Sequence, residues 1–561
     1  MRVLLLVTKY GYPDPAPQPG LFPQGVAYIA GALQAAGHEV FGCNMSYALT
    51  KGSAQELLHR ALSQAISRYQ PQAIAIGGLS ADYLFLAHAI TMCRSLAPDV
   101  PVILGGGIVT ADLEFIFSDL RPDFAITGDG EIPIVELLAA LGNGGPLREI
   151  GGLTFWLDGE AVVNPERPKS KILPSYAFPS YDVLGIDDFF QASGHFHSPH
   201  IASLHPRPRL LPFSAGRSCP FKCTFCFHSS GSVYSQRTIP DVLNEIVYFK
   251  EKHDFNCFIV YDELFSVKEA RVREFCEGLR ALNLGVKWTC AMRVPDINED
   301  ILRDMKDAGC AMVGVGLESA NDRVLASMRK KITRQQIERA ISAAEHTGVG
   351  LQGNFIFGDP AETRDSIRET FDFCMAHSKH VFATGIIVPF PSTPIFDDAL
   401  RKGVIADKKT YYESLHQSRF YNMTDIPSEE FVPLVMEGMA AHARMMPPGR
   451  IDPKAFLVQS PAGSLDEYAR STIVFRVQCP ACGEWLDRTM NYPGDADDVK
   501  NGHLEHFFKF LAEYRHLVCP HCYRVVAIRL NPADTRFWIV DIEAMEVPSY
   551  QRMAEIADAV T

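Results

Sequence analysis

Three cysteines stand within eight residues in the segment SAGRSCPFKCTFCFHSS, which runs from Ser214 to Ser230. They are Cys219, Cys223 and Cys226, and Phe225 directly precedes the third. Soft thiolates select iron–sulfur clusters, zinc or cuprous copper. A structural zinc ion takes four protein ligands, whereas three thiolates on a four-iron cubane leave one iron open. The spacing therefore predicts a cluster whose open iron chelates a substrate.

A series of alternating strand and helix patterns begins just before these cysteines. Amphipathic segments such as TRQQIERAISAAEHTG separate six candidate strands, which read LLPFSAG, CFIVY, VKWTCAM, AMVGVGL, LQGNFIF and FATGIIV. Six such units predict a TIM-type barrel over residues 206–405, or part of one as a partial (β/α)6 barrel, since a complete barrel has eight units. Barrel enzymes carry their chemistry in loops at the carboxyl ends of the strands, and the cysteines follow the first strand.

Polar or special residues also follow the later strands of this predicted barrel. In strand order they are Asp262 with Glu263, Arg293, Glu318, Gly358 with Glu362, and Pro389. Each has an ordinary explanation on its own, such as a helix cap for Glu318. Their joint placement on one rim, together with three thiols, predicts a binding site.

Residues 1–150 show an earlier alternation of strands and helices. The five candidate strands read RVLLLV, HEVFGC, QAIAIGG, PVILGG and DFAIT. They predict a Rossmann-like α/β domain, in which ligands bind outside the carboxyl ends of the strands. Glycine-rich turns stand at those ends, at 77–80, 105–107 and 127–131. A dinucleotide is disfavoured as the ligand because no G-x-G-x-x-G follows the first strand.

Two C-P-x-C turns lie in the C-terminal segment 471–561. They supply Cys479 with Cys482 and Cys519 with Cys522. Two such turns make a tetrahedral metal site, so we predict a zinc-ribbon-like domain with a structural zinc ion. A rubredoxin-type iron site and a second iron–sulfur cluster stay open as alternatives. The intervening pattern HLEHFFKFLAEYRH, 503–516, predicts a helix.

The remaining segments and the overall composition complete the prediction. Residues 151–205 are expected to form a connector with a hairpin turning at Asp158-Gly159, and residues 406–470 a helical region. A formal net charge of −13 disfavours binding to nucleic acid. The N-terminus lacks a signal-peptide pattern, and no apolar run is long enough to span a bilayer. We therefore predict a cytoplasmic protein.

The spacing C-x3-C-x2-C, with an aromatic residue before the third cysteine, resembles the signature of radical S-adenosylmethionine (SAM) enzymes. The segments FIVYDELF, VGVGLESANDRVLASMRKKITRQQI and FIFGDPAETRDSI resemble later strands of that family's barrel. The resemblance implies that Cys219, Cys223 and Cys226 hold a 4Fe–4S cluster whose fourth iron chelates SAM. One electron then cleaves the sulfonium, and a 5′-deoxyadenosyl radical abstracts a hydrogen atom from the substrate.

The same resemblance implies contacts to SAM. Phe225 would pack near the adenine, and the turn at Asp262 and Glu263 would approach the methionine amine. Arg293 and Glu318 would bind polar groups of SAM, and the turn containing Gly358 would border the adenine. No catalytic residue is assigned beyond the cluster ligands.

The N-terminal region resembles the cobalamin-binding domain of a large radical SAM subfamily. The resemblance is carried by LFPQGVAYIAGALQAAGHEV, PVILGGG and DFAITGDGEIPIVELL. It implies that the corrin and its nucleotide tail bind near Ser80, Gly105, Gly106, Gly107 and Gly128. The D-x-H-x-x-G motif is absent, so no lower axial ligand of cobalt can be named. A domain that has lost its ligand, or only docks the substrate, is the alternative.

Within this subfamily the resemblance implies methylation of an unactivated carbon or phosphorus centre in a small-molecule or biosynthetic intermediate. It also implies an electron donor such as flavodoxin or ferredoxin. A non-methylating oxidative cyclase or ring-rearranging enzyme is the alternative, and a cobalamin or redox sensor is a third reading. Methylthiolation is disfavoured because the N-terminal region has no second cysteine triplet. The polar rim of the barrel favours an enzyme over a sensor.

Overall fold

The computed structural model describes most of the chain up to residue 451 and two cysteine-containing segments beyond it. The described ranges are 1–14, 22–46, 52–193, 203–205, 208–417, 421–451, 457–459, 471–492 and 515–528. Within these ranges, no helix has both the length and the apolar composition needed to cross a membrane.

The N-terminal sheet has seven strands in the order β2-β1-β3-β4-β5-β6-β7. The first five strands are parallel: β1 Arg2–Val7, β2 Glu39–Cys43, β3 Ala73–Gly77, β4 Val102–Gly105 and β5 Phe124–Ile126. Five helices alternate with them and follow β1 to β5 in turn: α1 Gln24–Ala35, α2 Ala54–Tyr69, α3 Tyr83–Leu96, α4 Gly107–Leu120 and α5 Glu131–Asn143. The Rossmann-like prediction is confirmed.

Central strands of this sheet are buried on both faces, which explains their continuous apolar sequences. All of Val3 to Val7 in β1 are buried, and Leu4 lies between Phe41 of β2 and Ile74 of β3. Helix α2 begins at a capping box in which Ser53 and Glu56 exchange hydrogen bonds.

The predicted hairpin is present, and it extends the N-terminal sheet. It consists of β6 Leu153–Leu157 and β7 Glu160–Val163, and β6 pairs antiparallel with β5. The sheet thus continues past residue 150, where the connector was predicted to begin. Helix α6, Ile186–Ser193, follows before the barrel.

The second sheet contains six parallel strands in the order β8-β11-β12-β13-β14-β15. Their bounds, with the short antiparallel pair β9 and β10, are β8 Leu210–Phe213, β9 Gly216–Arg217, β10 Ser235–Gln236, β11 Cys257–Val260, β12 Lys287–Met292, β13 Cys310–Glu318, β14 Gly350–Phe357 and β15 Val381–Ile386. This neighbour-to-neighbour order is that of the predicted partial (β/α)6 barrel.

At least one helix follows each barrel strand. Together the helices cover a core of aromatic side chains on the strands. They are α7 Ile239–His253, α8 Glu269–Leu282, α9 Glu299–Asp307, α10 Asp322–Ser327, α11 Arg334–Thr347, α12 Arg364–Ala376 and α13 Pro394–Arg401. Trp288 of β12 is fully buried, and its indole N–H donates to the carbonyl of Ala308 at 2.9 Å. Phe258 of β11 stacks on the same indole, 6.0 Å between ring centroids.

The described C-terminal part contains helices α14 Lys408–Ser414 and α15 Ser428–Met445, followed by strands. The strands are β16 Arg450–Ile451, β17 Leu457–Gln459, β18 Ser471–Gln478, β19 Trp485–Tyr492, β20 Arg515–Val518 and β21 Val525–Ile528. β18 pairs with β16, β17 and β19, and β20 pairs with β21. Most of the helix predicted at 503–516 lies outside the described residues. Its last two residues, Arg515 and His516, belong to strand β20 and not to a helix.

Candidate functional site

The three clustered cysteines lie in the loop that follows β8 and β9, at the carboxyl end of the first barrel strand. Cys219 and Cys223 are half-buried and Cys226 is exposed. Partial desolvation within the loop raises the pKa of each thiol, and the nearby Glu263 adds to the rise for Cys226, so without a metal these groups are neutral thiols. Thiols become effective ligands only when deprotonated, and a bound metal supplies the necessary positive charge.

The spacing of the three sulfur atoms does not suit a single metal ion. A single tetrahedral ion with metal–sulfur bonds of about 2.3 Å needs ligand sulfurs about 3.8 Å apart. Within the described ranges, only four other cysteines bring three or more ligand atoms within 4.8 Å of one another. At least one pair among the sulfurs of Cys219, Cys223 and Cys226 therefore lies more than 4.8 Å apart, which fits ligands to separate irons of a cluster.

Arg293, Glu318 and Phe225 meet around a residue that the sequence did not single out, Lys330. The guanidinium of Arg293 donates to the carbonyl of Lys330 at 2.5 Å and lies 3.4 Å from the ring centroid of Phe221 in the cysteine loop. The Lys330 ammonium pairs with Glu318 at 2.6 Å and lies 5.9 Å from the Phe225 ring centroid. Cationic groups thus adjoin the thiols, where they stabilise negative charge.

Glu318 adopts an unusual backbone conformation for a side chain of its size. Its φ is 62°, in the left-handed region, and the pairing of β13 with β14 shifts register there. The residue is only 5% exposed. Such strain concentrates at functional sites, because the surrounding structure must hold it in place.

Asp262 and Glu263, which follow β11, bind different partners. Asp262 accepts hydrogen bonds from the backbone N–H of Ala215 at 2.8 Å and from Ser214 Oγ at 3.3 Å. Burial raises its pKa to about 7. Glu263 instead pairs with His228, two residues beyond Cys226, and this hydrogen bond raises the histidine pKa. The predicted contact of both carboxylates with SAM stays a prediction.

The turn after β14 carries a buried carboxylate with unused hydrogen-bonding capacity. The N–H of Gly358, whose φ is 111°, donates to Glu362 Oε2 at 2.6 Å. Burial raises the pKa of Glu362 to about 8. Its other oxygen, Oε1, has no hydrogen-bond partner among the described residues. A buried acceptor of this kind fits a site that receives a polar ligand.

In the glycine turn after β4, the backbone lies very close to neighbouring segments of the chain. A Cβ on Gly106, whose φ is 85°, would lie 2.7 Å from the carbonyl oxygen of Gly78. A Cβ on Gly107 would lie 2.8 Å from Leu79 and 3.0 Å from the ring of Phe227, the residue after Cys226. Gly105 borders the same turn. The N-terminal sheet and the cysteine loop therefore touch at this point.

The other two residues predicted to bind cobalamin lie at neighbouring strand ends. Ser80 is buried at the start of a short turn after β3, beside the side chain of Tyr412. The N–H of Gly128 donates to Thr110 Oγ1 at 3.2 Å, and its φ is 77°. A glycine cradle at the carboxyl ends of parallel strands fits a large planar ligand.

A cavity of about 520 Å³ opens where the two sheets meet. Its lining comes from both domains and includes Cys223, Cys226, Phe227, His228, Thr110 and Lys169. This volume is in the usual range for small-molecule sites, and two of the three cysteines face it.

Buried ion pairs fix the two domains against each other beside this cavity. Arg217, just before the cysteine loop, pairs with Asp129 at 2.9 Å and with Glu131, both in the turn after β5. Farther back, Tyr28 of α1 donates to Glu245 of α7 at 2.9 Å. Arg237 pairs with the same glutamate at 2.7 Å.

The four C-terminal cysteines converge, as the sequence predicts. Cys479 Sγ lies 3.7 Å from Cys522 Sγ, and Cys482 Sγ lies 3.6 Å from Cys519 Sγ. These distances match the edges of a tetrahedron around a metal ion with bonds of about 2.3 Å. The two turns are alike, since the N–H groups of Gly483 and Tyr523 donate to the carbonyls of Cys479 and Cys519.

Comparison with family models identifies both cofactor-binding regions. Residues 213–374 match the radical SAM superfamily, and residues 19–138 match the B12 binding domain. The first range contains the cysteine loop and the four barrel strands β11 to β14 in full, and the second contains the glycine turns. The chain therefore carries a radical SAM domain and a B12-binding domain.

Known proteins resemble the chain over much of its length. An uncharacterized methyltransferase of Pyrococcus horikoshii is 26% identical over 389 residues, covering 68% of this chain and 79% of the relative. The anaerobic magnesium-protoporphyrin IX monomethyl ester cyclase of Rubrivivax gelatinosus is 25% identical over 424 residues, covering 73% and 72%. The radical SAM methyltransferase TsrM of Kitasatospora setae has a similar fold, with a TM-score of 0.59 and 19% identity over 72% of this chain and 77% of TsrM.

Proposed function

We propose that this protein, a radical SAM enzyme with a B12-binding domain, is a cobalamin-dependent methyltransferase. Its substrate would be a small-molecule or biosynthetic intermediate, methylated at an unactivated carbon or phosphorus centre. The observation that carries the proposal is the contact of Phe227, in the cluster loop, with Gly107, in the glycine turn of the B12-binding domain. Both cofactor regions thus border one cavity, as a reaction that uses both cofactors on one substrate requires.

The proposed roles of the residues follow from their positions. When bound, the cluster, SAM and cobalamin supply reductive cleavage of a sulfonium and transfer of a methyl group. Cys219, Cys223 and Cys226 would hold the cluster. Lys330 keeps Glu318 and Arg293 beside the cluster loop, where they would bind SAM.

The proposed cobalamin contacts rest on the glycine turns. A Cβ on Gly106 or Gly107 would meet Gly78, Leu79 or Phe227, so glycine at these positions lets the turn pack closely beside the cysteine loop. Ser80, Gly105 and Gly128 lie at the adjoining strand ends. We infer that the residues at these strand ends would hold the corrin.

Products formed from SAM test the proposal. Anaerobically reconstituted protein, with cobalamin and a reductant, is incubated with extract metabolites and SAM carrying a deuterated methyl group. We expect 5′-deoxyadenosine, S-adenosylhomocysteine and a metabolite heavier by one labelled methyl group. Cys226→Ala should abolish 5′-deoxyadenosine, whereas Cys276→Ala, at a buried cysteine on α8, should retain it. Production of 5′-deoxyadenosine without S-adenosylhomocysteine in any extract would contradict methyl transfer.

An oxidative cyclase is the second candidate. The extensive similarity to the anaerobic cyclase of Rubrivivax gelatinosus favours it. In the same assay a cyclase would yield 5′-deoxyadenosine and a product lighter by hydrogen, with no labelled methyl group. The label therefore separates the two functions.

We further propose that the four C-terminal cysteines bind zinc and that a flavodoxin or ferredoxin supplies the electrons. Metal analysis of anaerobic protein should find one zinc and four irons per chain. Five irons without zinc would favour the rubredoxin-type alternative. The cytoplasmic location and the domain boundaries stay predictions.

A further inference from the structure

The four-cysteine module, residues 471–492 and 515–528, packs against the end of the barrel opposite to the cluster loop. Tyr523, which follows Cys522, lies against Gly350, the first residue of β14. A Cβ on Gly350 would be 2.7 Å from the Cβ of Tyr523 and 3.1 Å from that of Met312, near the start of β13. Tyr523 therefore covers the amino-terminal ends of two central strands.

First residues of other strands share these apolar contacts. Leu210 and Cys257, which begin β8 and β11, are buried with Ala311 in a cluster that Tyr523 packs against. Val381, which begins β15, is buried with Val518, Val525 and Ala527 of the module. The module thus contacts the beginnings of every barrel strand except β12.

Polar contacts attach the module at one side. Arg524 donates to His380 Nδ1 at 2.7 Å, and His380 Nε2 lies 2.9 Å from Glu345 Oε1 at the end of α11. The backbone N–H of Val525 donates to the carbonyl of Lys379 at 3.1 Å. Burial lowers the pKa of His380 to about 4, so this ring is neutral and accepts from the guanidinium.

The stability of these contacts would depend on a metal ion bound to the four cysteines. Cys479 and Cys482 lie in the β18–β19 turn, and Cys519 and Cys522 lie in the β20–β21 turn. The crossed sulfur pairs join the two hairpins, so the bound ion would cross-link them. The turn that carries Cys519 and Cys522 is followed directly by Tyr523 and Arg524, the residues that contact the barrel.

The structure assigns a role to this site that is separate from the chemistry of the cluster. We propose that the metal-loaded module closes the amino-terminal end of the barrel and stabilises the strands whose other ends form the rim that includes the cluster loop. Strand β14 has eight residues, so the two ends are roughly 23 Å apart. A four-thiolate site is also closed and has no position for a substrate.

Hydrogen exchange of the intact protein tests this proposal, which goes beyond the methyltransferase function and needs no turnover. The variants are Cys482→Ser, which removes a metal ligand, and Tyr523→Gly, which removes the covering side chain but tolerates its φ of 55°. In both, amides at 310–313 and 350–353 should exchange at least about tenfold faster than in the parent protein. Zinc should be lost only from Cys482→Ser. The matched control Tyr248→Ala, at a partly exposed tyrosine on α7, should leave these amides unchanged.

Two results would overturn the proposal. One is unchanged exchange at the strand beginnings in both variants. The other is equally faster exchange in the N-terminal sheet, since this would indicate global unfolding rather than opening of one barrel end. Because neither measurement involves SAM or a substrate, failure here leaves the methyltransferase proposal standing, and a failed methylation assay leaves this proposal standing.

Discussion

Replacing Arg217 with glutamine should loosen the junction between the two cofactor-binding domains. The guanidinium pairs with Asp129 and Glu131, and Glu131 is only 5% exposed. Removing one partner of a buried ion pair typically costs about 3–5 kcal/mol, because the other charge stays buried and unpaired. Arg217 retains 15% side-chain exposure, so we take the lower end, about 3 kcal/mol.

Native-state hydrogen exchange followed by mass spectrometry measures this local loss without assuming two-state unfolding of a multidomain chain. A loss of about 3 kcal/mol corresponds to more than about 100-fold faster exchange, expected in peptides covering 124–131 and 210–217. Adding Glu131→Gln should restore part of the protection, since it removes the buried charge.

The matched control is Arg303→Gln, which breaks an ion pair with Glu299 on the surface of α9. The side chains of Arg303 and Glu299 are both well exposed to solvent, so the rate of amide hydrogen exchange should not change measurably. If Arg217→Gln behaves like this control, the buried pair does not hold the domains together and the reasoning is wrong.

Three further predictions concern the cluster and the SAM region. Cys226→Ala should lose the iron–sulfur absorption of the anaerobic protein, whereas Cys276→Ala, at a buried cysteine on α8, should keep it. Because burial raises the pKa of Glu362 to about 8, its ionisation opposes folding as the pH rises from about 4.5 to 8. Glu362→Gln should therefore have the parent's stability at pH 4.5 and exceed it at pH 8, by up to about 4 kcal/mol, in urea titrations; equal pH profiles would contradict this. Gly358→Ala should lower stability by about 1–3 kcal/mol because of its φ of 111°, while Gly385→Ala, which meets no neighbour, should be nearly neutral; equal effects would argue against backbone strain.

The fold could be predicted because its signals are local. Continuous apolar runs such as Leu4 to Val7 belong to strands buried on both faces, and every barrel strand predicted from such a run is present. The two C-P-x-C turns likewise contain, within a few residues, the geometry that brings Cys479 beside Cys482 and Cys519 beside Cys522. The position of the cysteine triplet in the fold could be predicted because the triplet directly follows a predicted strand.

Residues whose roles depend on distant partners could not be predicted. Lys330 lies in the basic run Arg329–Lys331, which by itself indicates a solvated surface, yet its partner Glu318 is twelve residues away. His228 pairs with Glu263 across 35 residues, and Arg217 with Glu131 across 86. The first two contacts form only when the barrel strands come together, and the third only when the two sheets meet, so no periodicity encodes them. The pairing of the predicted hairpin with the edge strand β5 likewise depends on a distant partner, so the sequence did not indicate it.

The contact between Phe227 and Gly107 restricts how such domains can be recombined in the laboratory. A chimera that takes its first domain from a relative with a larger residue in place of Gly107 would force a methyl group or more to within 3.0 Å of the Phe227 ring. Grafted domains should therefore dock productively only when the glycine turn and the cysteine loop come from the same parent. Swapping these two short segments together is the more promising route to hybrid enzymes.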